Sequence, residues 1–473
     1  MMKKVFALAT LITMLLIPHS VTGQDIDKRS VTCSWFGKIS AGAIPLRIVF
    51  NLSVIEKDSL VATLDSPDQG AKNIKLGPVT FDGKSIKISA GAMLAEYNGI
   101  VQNDTLINGT WKQAGNTFPL DLTKLKIPFT VNRPQEPKPP FAYISEDVNF
   151  KNSEFDIMLA GTLTMPRGNG PFPAVILITG SGAQNRDEEL LGHKPFRIIA
   201  DYLTRNGIAV LRYDDRGTGE SQGSNIASTS ADFATDAQAA FEFLKTNSKI
   251  RSGTIGLIGH SEGGLIAPIV ASKNKEAGFI VSLAGPGVTG EEVILRQAED
   301  ISRAMGISEE QIKDNFSTNK RLYSILKTEP DYQKAEEKIL TLYKSILEEK
   351  NSSQEEINKT INQLKMTFGA GSYAWFRYYI MTDPSIFWKK VKCPVLALNG
   401  EKDLQVAAEV NLPAIRDALR TGGNKNVRTV SLPELNHLFQ HSKIGLPSEY
   451  GEIEETFSPE ALKIMTDWIL DLK

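Results

Sequence analysis

Ser261 is the residue whose surroundings in the chain point most directly to chemistry. It lies in the motif Gly-His-Ser-Glu-Gly-Gly at 259–264, after an apolar run at 254–258 and before a helix-compatible segment at 265–272. A strand, a sharp Gly-x-Ser-x-Gly turn and a helix together present a serine hydroxyl as a nucleophile. Side chains at positions 259 and 263 are expected to collide with this strained turn, which accounts for the glycines.

A buried sheet must hold this turn, and the second half of the chain has the pattern for one. The run 174–178 is apolar throughout, as is typical of a parallel strand covered on both faces, and 208–213 and 280–284 are similar. Helical patterns at 196–206 and 230–246 separate such runs. Strands that alternate with helices predict an α/β fold with a mostly parallel sheet.

Three ordered blocks then resemble one family. They are Thr-Gly-Ser-Gly-Ala-Gln-Asn-Arg-Asp at 179–187, Tyr-Asp-Asp-Arg-Gly-Thr-Gly-Glu-Ser at 213–221, and the serine motif itself. From about residue 145 to 473 the chain is similar to α/β-hydrolases, among them exported bacterial serine esterases and serine aminopeptidase-like hydrolases. The resemblance implies an α/β-hydrolase fold with a helical cap, and an acyl-enzyme on Ser261 that needs no metal or organic cofactor.

The resemblance also implies a histidine base that follows the serine in the chain, because the triad order in this fold is serine, acid, histidine. His193 precedes Ser261, and His260 adjoins it in the turn, where its ring should point elsewhere. His437 and His441 are left. We favour His437 as the base, because it follows a predicted strand and its Asn-His context matches the family; His441 is the alternative.

The acid is expected at the end of the preceding strand. The apolar run 394–398 predicts a buried strand, and a turn follows it. Asp403 has the family's spacing after that strand, so the resemblance implies that it orients His437 and stabilises the imidazolium. Glu401 and Glu434 are the alternatives.

Backbone N–H groups must stabilise the oxyanion of the transition state. One should be the N–H of Glu262, directly after the nucleophile. The second should come from the loop after Thr179, where most relatives carry His-Gly; Ser181 is the first choice and Gly182 the second. Four charged residues are expected to support this loop by ion pairs: Arg186, Asp187, Asp215 and Arg216.

A charged, helix-patterned segment at about 290–390 interrupts the alternation of strands and helices. Its place between two predicted strands indicates a cap over the active site. An aromatic cluster in it includes Tyr373, Trp375 and Phe376, which are candidates for the substrate pocket. The alternative is that these rings form the core of the cap itself.

The N-terminal part has two further segments. Residues 1–23 have a basic start and an apolar run at 5–17, which predicts a secretory signal peptide and an exported, periplasmic or secreted protein. That run is too short to span a membrane, which takes about 20 residues. Residues 24–128 alternate apolar and polar side chains and carry Asp-Gly at 82–83, which predicts an antiparallel β domain with a hairpin turn there. It loosely resembles lipocalin-like modules or small barrels.

Residues 129–142 are predicted to be a linker, because 133–140 contains four prolines and disfavours regular structure. The hydrolase-like domain would then comprise 143–473. Cys33 and Cys393 fall in different predicted domains, so we expect two free thiols. A formal charge of -2 gives no reason to expect nucleic acid or an anionic membrane as a partner.

Together these observations predict a serine hydrolase that cleaves carboxylic esters of small molecules or of glycan-linked substrates. An aminopeptidase or amidase of the same fold is the first alternative, and it would need carboxylates from the cap to hold the substrate's ammonium. A non-catalytic glycan-binding protein, in which the β domain carries the function, is the second.

Overall fold

A computed structural model of the chain describes residues 28–40, 45–55, 59–69, 71–113, 115–127, 129, 132–367 and 370–472. Apart from short segments near 45 and at 67–71, the described residues up to 129 form one compact unit and those from 132 onward form another. The predicted signal peptide at 1–23 lies outside the described residues. Within the described ranges, no helix is long and apolar enough to cross a bilayer.

The first unit is a 10-stranded antiparallel sheet with the order β4-β3-β2-β1-β10-β8-β7-β6-β5, in which β9 pairs with β8. Its strands are β1 (Ser34–Ile39), β2 (Leu46–Ile55), β3 (Ser59–Ser66), β4 (Ala71–Lys75), β5 (Val79–Phe81), β6 (Ser85–Ala90), β7 (Ala95–Asn103), β8 (Leu106–Gln113), β9 (Asn116–Pro119) and β10 (Leu122–Lys124).

Alternation along these strands buries one face, where Trp35, Phe50, Tyr97 and Trp111 lie in a single hydrophobic cluster. The turn between β5 and β6 is the Asp-Gly turn predicted from the sequence, with Gly83 at φ 92°. The antiparallel β domain is therefore confirmed. Its likeness to a lipocalin or a small barrel stays a prediction.

The second unit contains an 8-stranded sheet with the order β11-β12-β14-β13-β15-β16-β17-β18. Its strands are β11 (Ile144–Asn152), β12 (Ile157–Met165), β13 (Phe172–Ile178), β14 (Ala209–Tyr213), β15 (Ile250–His260), β16 (Phe279–Leu283), β17 (Val395–Gly400) and β18 (Val427–Leu432). The pairs that include β12 are antiparallel, and all other pairs are parallel. With the helices that flank it, this is the α/β-hydrolase fold.

Helices cover both faces of this sheet, and for that reason its central strands β13, β14, β16 and β17 are mostly apolar and buried. Neighbouring residues of β13 lie in separate hydrophobic clusters, Ile176 in one and Val175 in the other. The flanking helices are α1 (Pro195–Arg205), α2 (Ser230–Lys245), α3 (Gly263–Lys273), α10 (Ala408–Thr421) and α11 (Pro459–Asp471).

The chain between β16 and β17 is helical and forms its own hydrophobic cluster, which includes Leu322, Leu326 and Ile339. The helices are α4 (Gly290–Ala304), α5 (Glu309–Thr328), α6 (Tyr332–Glu349), α7 (Gln354–Thr367), α8 (Ala370–Met381) and α9 (Ser385–Trp388). Side chains of Thr289 and Ser308 cap the N-termini of α4 and α5. We call the segment from α4 to α8 the cap.

The proline-rich segment joins the second unit through side-chain hydrogen bonds. The guanidinium of Arg133 donates to the carbonyl oxygens of Leu191 and Ile453, each at 2.9 Å. The carboxamide of Gln135 donates to the carbonyl oxygen of Phe457 at 2.7 Å. Within the predicted linker at 129–142, the segment at Arg133 and Gln135 is therefore held against this unit.

Candidate active site

Ser261 lies in the turn between β15 and α3, in a left-handed backbone conformation with φ 53°. Its N–H donates to the carbonyl oxygen of Leu283 on β16 at 2.8 Å. A Cβ at position 259 would overlap the backbone of Gly263, and a Cβ at 263 would overlap the carbonyl oxygen of Ile178. The predicted collision is confirmed, and only glycine fits at either position.

His437 and Asp403 meet at the carboxyl edge of the sheet, in the loops after β18 and β17. Nδ1 of His437 lies 2.8 Å from Oδ2 of Asp403, and both side chains are buried. The other oxygen, Oδ1, accepts the N–H groups of Gln405 at 2.8 Å and Val406 at 2.9 Å. A carboxylate held in this way accepts the Nδ1 proton, so Nε2 is the nitrogen left to act as a base. Ser261 and His437 line the same cavity.

The alternatives weighed from the sequence lie elsewhere. His441 is exposed and pairs with Glu455 at 2.8 Å. Glu401 accepts the hydroxyl of Ser431 at 2.9 Å, and Glu434 pairs with a lysine on the surface. None of the three alternatives lines the cavity that holds Ser261.

The residues expected to supply the oxyanion donors differ in their burial and in whether they line the cavity. Glu262 is buried and occupies the N-cap of α3, where backbone N–H groups lack intrahelical partners. Ser181 lines the cavity, whereas Gly182 does not. The N–H of Gly180 is engaged by a carboxylate oxygen of Glu188 at 2.7 Å. The choice between Ser181 and Gly182 as the second donor stays a prediction.

The cavity has a volume of about 270 Å³ and is lined partly by the cap. The lining residues of the cap are Val293, Ile294, Gln297, Trp375 and Tyr379. Of the three predicted pocket aromatics, only Trp375 is among them, so the prediction was wrong for the other two. Tyr373 donates its hydroxyl to the carbonyl oxygen of Glu329, and the ring of Phe376 packs on Tyr323. Both belong to the cap's own core.

Comparison with known proteins decides the family. A family model for serine aminopeptidase, S33, matches residues 194–442, which is just over half of the chain. The chain belongs to the serine aminopeptidase S33 family. Esterase EstD of Thermotoga maritima is 28% identical over 280 residues, which cover 59% of this chain and 58% of that protein. The match therefore spans less than two thirds of that relative's length.

Solved structures resemble this S33 family member only distantly. An esterase of Pyrococcus furiosus is 16% identical with a TM-score of 0.43, covering 73% of this chain and 99% of that one. Est1E from Butyrivibrio proteoclasticus, with bound ferulic acid, is 16% identical with a TM-score of 0.41, covering 69% of this chain and 98% of that one.

The side chain of Glu262 joins the turn that carries Ser261, which we call the elbow, to the cap of this S33 family member. Its Oε1 accepts the hydroxyl of Ser230 at 2.6 Å and Nε1 of Trp375 at 2.8 Å. Burial raises the pKa of Glu262, while hydrogen bonds from Ser230, Trp375 and Ser181 lower it; the net shift is upward. The sequence indicated a role only for the backbone of this residue.

Sequence reasoning also missed a pair beside the base. His260 is buried, with Nδ1 2.9 Å from Oε1 of Glu188 and Nε2 2.9 Å from the carbonyl oxygen of His437. The rings of His260 and His437 have centroids 4.9 Å apart. Burial lowers the pKa of His260, but Glu188 and the carbonyl of His437 outweigh this, so the net shift is upward.

The charged residues near the loop after Thr179, which we call the oxyanion loop, do not form one network. The guanidinium of Arg186 donates two hydrogen bonds to Asp214, at 2.6 and 3.1 Å. Ion pairs also join Asp187 to Arg212 and Arg216 to Asp236. We expected Arg186, Asp187, Asp215 and Arg216 to form ion pairs around the loop. This is correct only in part, because Arg216 pairs instead with Asp236 on α2.

Asp215 supports the loop through hydrogen bonds. Its carboxylate accepts the hydroxyl of Thr179 at 2.7 Å and the N–H of Gln184 at 2.9 Å. Burial raises its pKa to about 8, and the negative charges of Glu262 and Glu188 act in the same direction. The carboxyl group is thus held in the environment of a neutral acid.

Neither a metal site nor a disulfide emerges from the described part of the chain. Within it, no three His, Cys, Asp or Glu side chains lie in a group that could hold a metal ion. Cys33 and Cys393 are free thiols, as the sequence predicted.

Proposed function

We propose that this protein is a serine hydrolase that cleaves carboxylic esters through an acyl-enzyme on Ser261. The observation that carries the proposal is the hydrogen bond of 2.8 Å between His437 and Asp403, beside a cavity that Ser261 also lines. A strained serine between two obligatory glycines supports the same reading, because backbone strain of about 1–3 kcal/mol concentrates at functional sites.

In the proposed reaction His437 Nε2 takes the hydroxyl proton as Ser261 Oγ attacks the ester carbonyl. Negative charge on the carbonyl oxygen is stabilised by the N–H groups of Glu262 and Ser181. Collapse of this intermediate expels the alcohol, which receives the proton from His437. Water then attacks the acyl-enzyme by the same steps and releases the acid. Asp403 keeps the ring oriented and stabilises the imidazolium throughout.

The cap favours ester over peptide substrates. An aminopeptidase must hold the ammonium group of its substrate, for which a buried carboxylate is the usual partner. The described cap residues that line the cavity include no acid, and Gln297 is their only carboxamide. Glu188 lines the cavity but is already engaged by His260. The relative from Thermotoga maritima is named an esterase, which agrees with this preference.

The lining also indicates the kind of ester. Apolar side chains such as Leu190 and Leu438 share the cavity with the carboxamides of Gln184 and Gln405. A cavity of about 270 Å³ with such a lining fits a short, uncharged acyl group whose polar substituents hydrogen-bond to amides.

The test is a side-by-side profile of p-nitrophenyl esters and aminoacyl p-nitroanilides, using wild-type protein and a Ser261→Ala variant as the matched control. We expect kcat/KM to be highest for short-chain, neutral esters, and to be lost in the variant. The proposal fails if the anilides are cleaved with the higher kcat/KM, which would favour the aminopeptidase, or if the variant keeps its ester turnover.

We also propose that residues 1–23 direct export and are then removed. The basic start and the short apolar run at 5–17 support this. N-terminal sequencing of protein recovered from the periplasm or the medium should begin at residue 24. Recovery of the whole chain in the cytoplasm, with residues 1–23 retained, would contradict the proposal.

A further inference from the structure

The ring of His260 is bound at both nitrogens by groups that accept hydrogen bonds. Nε2 faces the carbonyl oxygen of His437 at 2.9 Å, and Nδ1 faces Oε1 of Glu188 at the same distance. A carbonyl oxygen has no proton to give, so Nε2 must carry one. A carboxylate likewise only accepts, which requires a proton on Nδ1 as well.

The same carboxylate oxygen binds the oxyanion loop. Oε1 of Glu188 accepts the N–H of Gly180 at 2.7 Å in addition to His260. Two donors on one oxygen stabilise the ionised form of a carboxyl group. The alternative arrangement, a neutral ring facing a protonated Glu188, would forgo this stabilisation. The pair is therefore an imidazolium and a carboxylate, with both side chains buried.

We propose that Glu188 and His260 form a charged clamp that fixes the oxyanion loop and the backbone of His437 relative to Ser261. The inference rests on the proposed ester hydrolysis and deepens it by naming two positioning residues for that site. The clamp runs from Gly180 N–H through Glu188 and the ring of His260 to the carbonyl of His437. It links the oxyanion loop to His437, the proposed base, and contacts none of the reacting atoms.

Two further observations support the clamp. Glu188 is held at φ 51°, a left-handed conformation that is costly for glutamate and that only strong contacts retain. The pKa of His260 is shifted upward in spite of burial, through Glu188 and the carbonyl of His437. The titratable and charged groups that face His260 are Glu188, His437 and Asp403.

The protonation of the ring can be read without turnover. We would record the ¹⁵N shifts of the histidine rings in labelled Ser261→Ala protein, and assign His260 by its loss in a Ser261→Ala/His260→Gln double variant. Both ring nitrogens of His260 should have the shifts of a protonated imidazolium at neutral pH. A neutral ring there, with one bare nitrogen, would overturn the proposal.

The consequence for activity is tested with Glu188→Gln. Its amide oxygen can still accept from Gly180 and from His260, so the shape is kept and only the charge is lost. We expect kcat on a p-nitrophenyl ester to fall about 10- to 100-fold with little change in KM, because the base is displaced while the cavity is retained. The alkaline limb of the pH profile should move to lower pH, since His260 then loses its proton sooner.

His441→Gln is the matched control, because His441 also pairs with a glutamate but is exposed and outside the cavity. It should leave kcat and the pH profile unchanged. If Glu188→Gln behaves like this control while Ser261→Ala is inactive, the clamp is refuted and the proposed function stands. If Ser261→Ala keeps its activity, the proposed function fails, and the ring shifts alone decide the charge of His260.

Discussion

Ser261 holds a backbone conformation that few side chains tolerate, and its neighbours make that possible. The turn brings the backbone at 263 against the end of β13, so close that a Cβ there would overlap the carbonyl oxygen of Ile178. Strain at the serine costs about 1–3 kcal/mol, and the packing of β15 and α3 must offset it. The serine is presented only while this close contact persists.

A Gly263→Ala substitution should therefore destabilise the second unit and remove ester turnover. Relief of the overlap requires α3 to shift, and overpacking of this kind costs about 1–3 kcal/mol. Thermal unfolding and kcat/KM measure the two effects. Gly91→Ala is the control, since the nearest atom to its added Cβ is Ser89 Oγ at 3.8 Å. Equal melting temperatures for both variants would show that the turn accommodates a Cβ at position 263.

Among single residues, the sequence could identify Ser261, Asp403 and His437 as candidates, because the Gly-x-Ser-x-Gly motif and the family's order of serine, acid and histidine restrict the choice. The sequence could not predict the contact between His260 and Glu188. That contact joins residues 72 apart and depends on how the oxyanion loop folds back on the elbow. The catalytic roles of the three nominated residues stay predictions.

The cap connects to the elbow through α8, and the period of this helix explains which aromatics face the cavity. Residues three or four apart share a helix face. Trp375 and Tyr379 share the face toward the cavity, whereas Tyr373 and Phe376 share the face toward the cap's core. Both faces are aromatic, so the sequence pattern alone gave no means of telling them apart.

A Trp375→Phe substitution should lower kcat/KM about tenfold or more. It keeps an aromatic ring in the cavity but removes the Nε1–H that Glu262 accepts, and a hydrogen bond to an ionised or buried acid contributes about 1.5–3 kcal/mol. Tyr373→Phe removes a hydrogen bond within the cap instead and should change kcat/KM less than about twofold. If the two variants lose activity equally, the hydrogen bond between Trp375 and Glu262 does not account for the loss.

Among whole elements, the central parallel strands were predictable because both of their faces are buried, which makes them mostly apolar. For the proline-rich segment, composition indicated a spacer, but it carries no signal for hydrogen bonds such as those of Arg133 and Gln135 to distant backbone groups.

The stability of the whole molecule should depend on the pH because of Asp215. Its pKa is raised from 3.8 to about 8, so the folded protein keeps a proton that the unfolded chain releases. This contribution to stability is complete below about pH 4 and is lost as the pH rises toward 8.

An Asp215→Asn variant lacks this titration. Its amide group can donate to the Thr179 hydroxyl and accept from Gln184 N–H, so the loop contacts are kept. We expect similar melting temperatures for variant and wild type near pH 5, and a variant more stable by a few degrees near pH 9. A constant difference in melting temperature across this range would mean that the pKa of Asp215 is not raised.

Covalent labelling with a fluorophosphonate probe, followed by mass mapping of the modified peptide, tests directly whether Ser261 is the nucleophile. We predict a single adduct on Ser261 in the wild-type protein, with labelling strongly slowed in His437→Gln and absent in Ser261→Ala. Wild-type protein that takes up no probe, or an adduct on a different residue, would contradict it.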